Sequence, residues 1–312
     1  MAMMEIIKTT IKYDFVAKFK ICMILSTILV IVSLIGAATK MKYGVDFRGG
    51  SEIQVKFSQS VPVASVREAL DGGGFKNASV QTIGSLEDNE LMIKVSSEES
   101  DLNTVSAKVS ELLTKNFATA GAEIRKVDIV GPKAGAELRL SGFLAMAWAL
   151  LSIMIYVSLR FDIKYAPGAI IALFHDVTMV LGAYTLFGIE FTLQTVAALL
   201  AIIGYSINDT VIVYDRVREH EDKNDSSYSL AAVINTATNE TLARSLLTSA
   251  TTFTVCLIML IMGGGAIRDF FFAMIVGIFF GSYSSVFIAS AITLWMDGWR
   301  KKSTKSEMVA AK

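Results

Sequence analysis

The sequence predicts a helical membrane bundle of six transmembrane helices with a small α+β, ferredoxin-like domain inserted after the first. Three observations carry that expectation. Of the 312 residues 53% are hydrophobic and the mean hydropathy is +0.52, well to the apolar side of soluble domains. Six stretches match the roughly 20 apolar residues that a bilayer core demands of a helix: 21–38, 140–159, 169–187, 191–214, 242–262 and 270–296. Between the first two lies a long insert, 39–137, whose residues alternate between apolar and polar instead.

The opening residues "MMEIIKTTIKYDFVAKFK" place Ile7, Ile11, Phe15 and Phe19 on one helical stripe, with lysines elsewhere. This predicts that residues 1–20 form an amphipathic helix lying on the cytoplasmic leaflet. Stretch 21–38 ends in "GAA", a loose match to a signal-peptide cleavage site, but its apolar run exceeds the usual ~7–15 residues and more spans follow. It is expected to be a retained anchor.

Within 39–137, "EIQVKF" (52–57) and "LMIKV" (91–95) alternate, "SVQTIG" (79–84) adds a strand and "EIRKVDIV" (123–130) has strand character. "VASVREALDGG" and "LNTVSAKVSELLTKNF" show helical spacing, and the first closes on Gly72–Gly74, a natural helix stop. The resulting order, βαββαβ, predicts helices on one face of an antiparallel sheet.

Lysine and arginine set the orientation. Lys8, Lys12, Lys18 and Lys20 precede the first span, Arg160 and Lys164 follow the second, and Arg216, Arg218 and Lys223 follow the fourth. The tail, 300–312, holds Arg300, Lys301, Lys302 and Lys305, whereas the opposite loops carry a single Arg268. Both termini are therefore expected in the cytoplasm and residues 39–137 outside it, with the remaining five helices in 138–299.

The zero net charge argues against a nucleic-acid binder. Cys22 and Cys256 sit in apolar runs and read as packing residues, with no disulfide to offer an exported domain. No ATP-cradling G-x-x-x-x-G-K-[ST], H-E-x-x-H or C-x-x-C occurs, so neither an enzyme nor a metal or cofactor site is expected. "EHEDKND" (219–225) resembles a metal cluster but reads as a solvated loop. Gly277, Gly281, Ser285 and Ala289 recur at every fourth position of span six, the spacing of close helix packing.

The costly residues are those inside the spans. A carboxylate at mid-helix in a bilayer costs roughly 2.5–3.5 kcal/mol on insertion scales, yet "GYSINDTVIVYDR" (204–216) carries Asn208 and Asp209. Arg244 lies a turn or more inside span five. Asp209 stands about 19 residues, or ~28 Å, from Glu190, and Arg244 the same distance from Gly263. Equal depth on antiparallel helices predicts an ion pair. Tyr205 and Ser206 lie a turn before Asp209, while Thr248, Thr251 and Thr252 continue the Arg244 side. In span three, His175 and Asp176 read either as satisfied polar groups or as a proton relay.

"YGVDFRGGSEIQVKF" (43–57) resembles the G-[IV]-D-F-x-G-G signature of the SecD/SecF family of bacterial protein-secretion subunits, here through Gly44, Asp46, Phe47, Gly49 and Gly50. "FKNASVQTIG" (75–84), "FHDV" (174–177), "GYSINDTVIVYDR" (204–216) and "NETLARSLLTS" (239–249) follow in the family's order. The Phe47 variant, the short insert and the brief tail resemble the SecF branch of that family, within the resistance-nodulation-division superfamily. The resemblance implies a multi-pass protein of the bacterial inner membrane, with SecD as its obligate other half. It also implies the SecYEG translocon, YajC and YidC, preprotein and membrane lipid as partners. Its coupling ion would be the proton, with Asp209 and Arg244 carrying the coupling and Tyr205, Ser206, Asn208, Thr248, His175 and Asp176 as candidates for the proton path. The activity implied is export of preproteins driven by the proton-motive force. Two alternatives remain open: a proton-driven exporter of small molecules or lipids, and a scaffold that transports nothing.

Overall fold

A computed structural model describes the backbone of residues 13–75, 78–83, 88–95, 102–223 and 229–310. A 3₁₀ turn, Val16–Lys18, runs straight into α1 (Phe19–Lys40), the first span. A two-residue strand β1 (Lys42–Tyr43) and a single helical turn α2 (Val45–Arg48) lead to the sheet-bearing insert. Its elements are β2 (Gly50–Lys56), α3 (Val63–Gly72), β3 (Ser79–Ile83), β4 (Glu90–Val95), α4 (Leu102–Asn116) and β5 (Glu123–Val130). Spans two and three are α5 (Pro132–Arg160) and α6 (Ala166–Phe187). After β6 (Glu190–Phe191) come span four, α7 (Leu193–Lys223), and span five, α8 (Leu230–Met262). Span six is α9 (Gly265–Ser284), a π-helical turn Ser285–Ala289 and α10 (Ser290–Ala310).

Local chemistry explains the boundaries. All three prolines, Pro62, Pro132 and Pro167, stand at helix starts, where a missing N–H costs nothing. Ser229 caps α8 by accepting the amide of Ala232 at 3.3 Å. Gly188 closes α6 in the left-handed conformation that glycine adopts freely.

The four long strands form one antiparallel sheet in the order β3-β4-β2-β5. Ile53, Val55 and Ile93 point to one face and are covered by Val66 and Leu70 of α3 and Val109 of α4. The opposite face is polar, and Lys94 on it reaches Glu190 at 3.7 Å, so the sheet stands on one end of the helix bundle.

In the bundle, spans three, four and six bury 44%, 50% and 50% of their apolar windows, against 6%, 11% and 17% for spans one, two and five. The first three are therefore the core of the bundle. The small-residue stripe of span six lets it come close: a Cβ on Gly277 would meet Ile202 at 2.5 Å, and one on Gly281 would meet Ser206 at 3.2 Å.

Two expectations are corrected here and one feature is new. The described part of the amphipathic stripe does not lie on the surface, because Phe15 and Phe19 pack on Phe287 of span six with ring centroids 5.8 and 6.5 Å apart. Ile7 and Ile11 lie outside the described residues. The solvated loop at 219–225 is helical as far as Lys223. Glu219 there pairs with Lys223 at 2.6 Å and with Arg216, His220 contacts Glu240 at 2.8 Å, and Glu221 holds Lys164 at 2.9 Å. Charges at three- and four-residue spacing support a helix that sequence polarity alone disguised as a loop. Finally, β1 and β6 pair in parallel, Lys42 with Glu190 and Tyr43 with Phe191, as strands too short to leave a periodic signal.

Two predictions follow from this packing. Gly281→Leu should force span six away from Ser206 and lower the thermal midpoint of the detergent-solubilised protein, a destabilisation of roughly 1–3 kcal/mol or more. Glu52 lies on the polar side of β2, and burial holds its carboxyl above the ordinary range, with Lys94 opposing and Asp46 and Asp128 adding to the effect. The folded state thus keeps a proton that the unfolded chain releases, so stability falls as pH rises through the folded value. Glu52→Gln should raise the midpoint at neutral pH. That gain should shrink on acidification and vanish below the ordinary glutamate range.

Candidate functional site

Span four supplies the site because its buried face is polar where a bilayer helix is normally apolar. Ser206, Thr210 and Tyr214 recur every fourth residue and share one face of α7. Each finds a partner on spans three or six. Ser206 donates to Asp176 Oδ2 at 2.5 Å, Thr210 meets Ser285 at 2.9 Å, and Tyr214 meets Thr293 at 3.0 Å and the Ala289 carbonyl at 3.2 Å. Two of these contacts fall on the π-helical turn, whose widened backbone is often found at functional positions.

Asp176 is fully buried and is the most connected carboxylate of the bundle core. Its Oδ1 contacts His175 Nδ1 at 2.9 Å, and its Oδ2 accepts from Ser206 and from Ser284 at 2.8 Å. Three spans thus meet at one carboxylate. His175 is buried between Phe280 and Tyr283, and its Nε2 has no hydrogen-bond partner among the described residues.

Asp209 is 2% exposed and far less supported. Its Oδ2 accepts one long bond from Ser249 at 3.4 Å, and its Oδ1 is buried without a partner among the described residues. Ser249 in turn meets Ser282 of span six at 2.7 Å and Tyr205 at 3.5 Å. A carboxylate oxygen left unpaired in an apolar core is expensive.

The expected ion pair is absent: no oxygen of Asp209 lies within 4.0 Å of the Arg244 guanidinium. Neither depth nor direction matches. Ser249 is the residue of α8 level with Asp209 and facing it, and Arg244, five residues earlier, lies ~7.5 Å further along the axis and about 140° around the helix. Arg244 is exposed and lines a crevice of about 580 Å³ with Tyr156, Arg160, Asp215 and Arg216. Asn208 is also exposed, and Thr248 bonds back to the carbonyls of Arg244 and Ser245 at 3.1 and 3.0 Å. Of the candidate path, then, Tyr205 and Ser206 join the buried clusters with His175 and Asp176, while Asn208 and Thr248 do not. Sequence reading missed Thr210, Ser249, Ser282 and Ser284, and gave Ser285 a packing role alone. The four-residue repeat Ser206–Thr210–Tyr214 is the signal that would have pointed to this face.

The glycine-turn residues form a second construction, at the sheet-bearing end. Gly49 takes φ +85 and Gly50 φ +147, turning the chain from α2 into β2, and a Cβ on Gly49 would meet Pro132 at 2.9 Å. Phe47 is buried and stacks on Phe191 at 5.5 Å, Gly44 donates its amide to the Phe191 carbonyl at 2.9 Å, and Asp46 Oδ2 accepts the amide of Leu193 at 3.0 Å.

Comparison with known proteins covers both constructions. The family described as "Protein export membrane protein SecD/SecF, C-terminal" matches residues 108–299, and the SecD/SecF GG motif matches residues 36–61. A protein translocase subunit SecF from Magnetococcus marinus is 39% identical over 97% of this chain and 98% of its own length. One from Helicobacter pylori is 38% identical over 93% and 89%. A crystal structure of SecDF, a translocon-associated membrane protein from Thermus thermophilus, superposes with a TM-score of 0.79 at 32% identity over 94% of this chain. This chain spans 39% of that SecDF chain. A SecDF structure in a super-membrane-facing form gives 0.69 at 33% identity over 95% of this chain and 40% of that one. The match thus runs through the GG turn and the buried carboxylates alike, over nearly the whole length of relatives of similar size, and the chain belongs to the SecD/SecF family of protein-export membrane proteins.

Proposed function

We propose that this chain is the smaller half of a SecD–SecF pair that assists the Sec translocase and uses the proton-motive force to draw preproteins across the membrane. The observation that carries the reading is Asp209: a carboxylate in the middle of a membrane span, with one buried oxygen unpartnered. Such a group changes charge when it gains or loses a proton, and one elementary charge moved across 100 mV corresponds to about 2.3 kcal/mol. That is enough to bias a two-state rearrangement of helices.

The need for a second half has its own support. Gln194, Ala197, Ala201, Gly204 and Asn208 form an exposed stripe along α7, small or polar where lipid would favour large apolar side chains. Arg244, exposed on the neighbouring helix, makes no ion pair within 4.0 Å among the described residues, although Asp215 and Glu240 line the same crevice. A larger homologous half that covers the stripe and supplies a carboxylate satisfies both. In this reading Arg244 acts on proton coupling across the junction, and Asp209 and Asp176 hold protons on this side of it.

The sheet domain, with its βαββαβ order and strand order β3-β4-β2-β5, supports a ferredoxin-like fold. It stands outside the cytoplasm in this reading, next to the emerging preprotein, and both termini stand inside. SecYEG is the neighbouring channel, with YajC and YidC as accessory contacts.

Orientation is tested by thiol labelling of intact spheroplasts carrying Cys22→Ala and Cys256→Ala. Ser65→Cys, exposed on α3, should react with an impermeant reagent, and Asp162→Cys, at the opposite end, should react only after permeabilisation. Reversed labelling would overturn the topology. For the coupling, Asp209→Asn keeps size and hydrogen-bonding capacity but removes titration. Export into membrane vesicles should lose its dependence on an imposed proton gradient while the complex is recovered in normal yield. Undiminished gradient-dependent export in Asp209→Asn would remove Asp209 from the coupling, and export that ignores the gradient in the unaltered complex would leave the scaffold reading.

A further inference from the structure

A helix begins with amide groups that have no partner within it, and the usual remedy is a side-chain oxygen from the residue just before. Span four departs from this. Thr192, in the capping position, turns its hydroxyl to Thr195 at 3.3 Å, and its own amide donates to the Thr195 hydroxyl at 3.0 Å. The first amide of the helix, that of Leu193, is bound instead by Asp46, 147 residues earlier in the chain. Span four is capped from outside itself.

The cap is held on a rigid seat. Asp46 belongs to the single turn α2, between the buried side chains of Val45 and Phe47. On one side α2 rests on span two, where a Cβ on Gly135 would come within 3.2 Å of the Phe47 and Asp46 backbone. On the other it meets the start of span four through the Phe47–Phe191 stack and the Gly44–Phe191 bond. Both legs of the sheet domain leave from this place, since Gly50 opening β2 pairs with Val130 closing β5. At the other end of the connection, Asp209 stands about 16 residues along the same unbroken helix, or ~24 Å from Leu193.

We propose that Asp46 is a positioning residue for coupling: it pins the N-terminus of span four to the root of the sheet domain, so that displacement of span four at Asp209 becomes displacement of that domain. A helix transmits axial motion along its length as a stiff rod, and a carboxylate favours a helix N-terminus through both the hydrogen bond and the helix dipole. The β1–β6 pairing keeps the two chain segments adjacent, but its ladder ends at Phe191 and leaves the first turn of the helix to Asp46. This inference rests on the proton-coupled reading of Asp209 and adds the route from there to the domain.

The test uses the full chain assembled with its partner half in lipid vesicles, with spin labels on Ser65→Cys of the sheet domain and Ile163→Cys at the opposite end of the bundle, in the Cys22→Ala, Cys256→Ala background. The distance distribution is measured for Asp209 and for Asp209→Asn, each combined with Asp46, Asp46→Asn, Asp46→Ala or Asp46→Leu. With Asp46 present, Asp209→Asn should shift the distribution. Asp46→Asn, which keeps an acceptor oxygen, should preserve the shift. Asp46→Ala, or Asp46→Leu if the alanine variant is not recovered, should abolish it while the complex still assembles, and gradient-dependent export should fall with it. A shift that survives in Asp46→Ala or Asp46→Leu would overturn the pin and leave proton coupling intact. No shift on Asp209→Asn with Asp46 present would remove the coupled reading, and the pin with it.

Discussion

A polar group inside a membrane has no water to turn to, and every such group on the central helices must find its partner in protein. Span four concentrates that demand. Ser206, Thr210 and Tyr214 face spans three and six, and each contact brings two helices to a fixed rotation and depth. The close approach needed for hydroxyl-to-hydroxyl contact is possible because span six offers Gly277 and Gly281 at the same crossing. The order of the bundle core thus rests on polar pairing together with close packing, since apolar burial alone gives helices in lipid little reason to associate.

Against that background the two buried aspartates have different characters. Asp176 is satisfied by a histidine and two serines from three spans, and it works as a joint between them. Asp209 has a single long bond and an unpartnered oxygen, so it is the less settled of the two. A fully supported carboxylate favours one arrangement of its neighbours, whereas an under-supported one leaves room for a change of proton and of packing. The π-helical turn of span six, opposite Thr210, supplies a backbone segment already out of the regular α-helical register beside it.

The junction between bundle and sheet follows the same logic with backbone groups. The amide of Leu193 would be an unpaired donor at the start of a long apolar helix, and Asp46 removes that cost. The glycine turn is placed by the same contact: Gly49 and Gly50 bend the chain back so that α2 stays against span two and span four while β2 departs. The charged seam between Lys94 and Glu190 adds a second contact on the other side of the root.

Hydropathy and period, which are properties measured along the chain, gave the number of spans and the order of strands and helices in the insert, and the paired glycines marked the turn. Helix ends were less legible, because paired charges extend α7 to Lys223 through residues that composition alone would assign to a loop. Rotation, and the matching of depth between helices, came from packing alone. The five-residue offset from Arg244 to Ser249 is ~7.5 Å in depth and about 140° in direction, so Ser249 faces Asp209 and Arg244 faces outward. The cap from Asp46 to Leu193 was beyond reach for a related reason, since it joins positions 147 residues apart through one amide and one oxygen. Periodicity tells how far along its axis a residue lies. Which way it points is settled by the neighbours that pack around it.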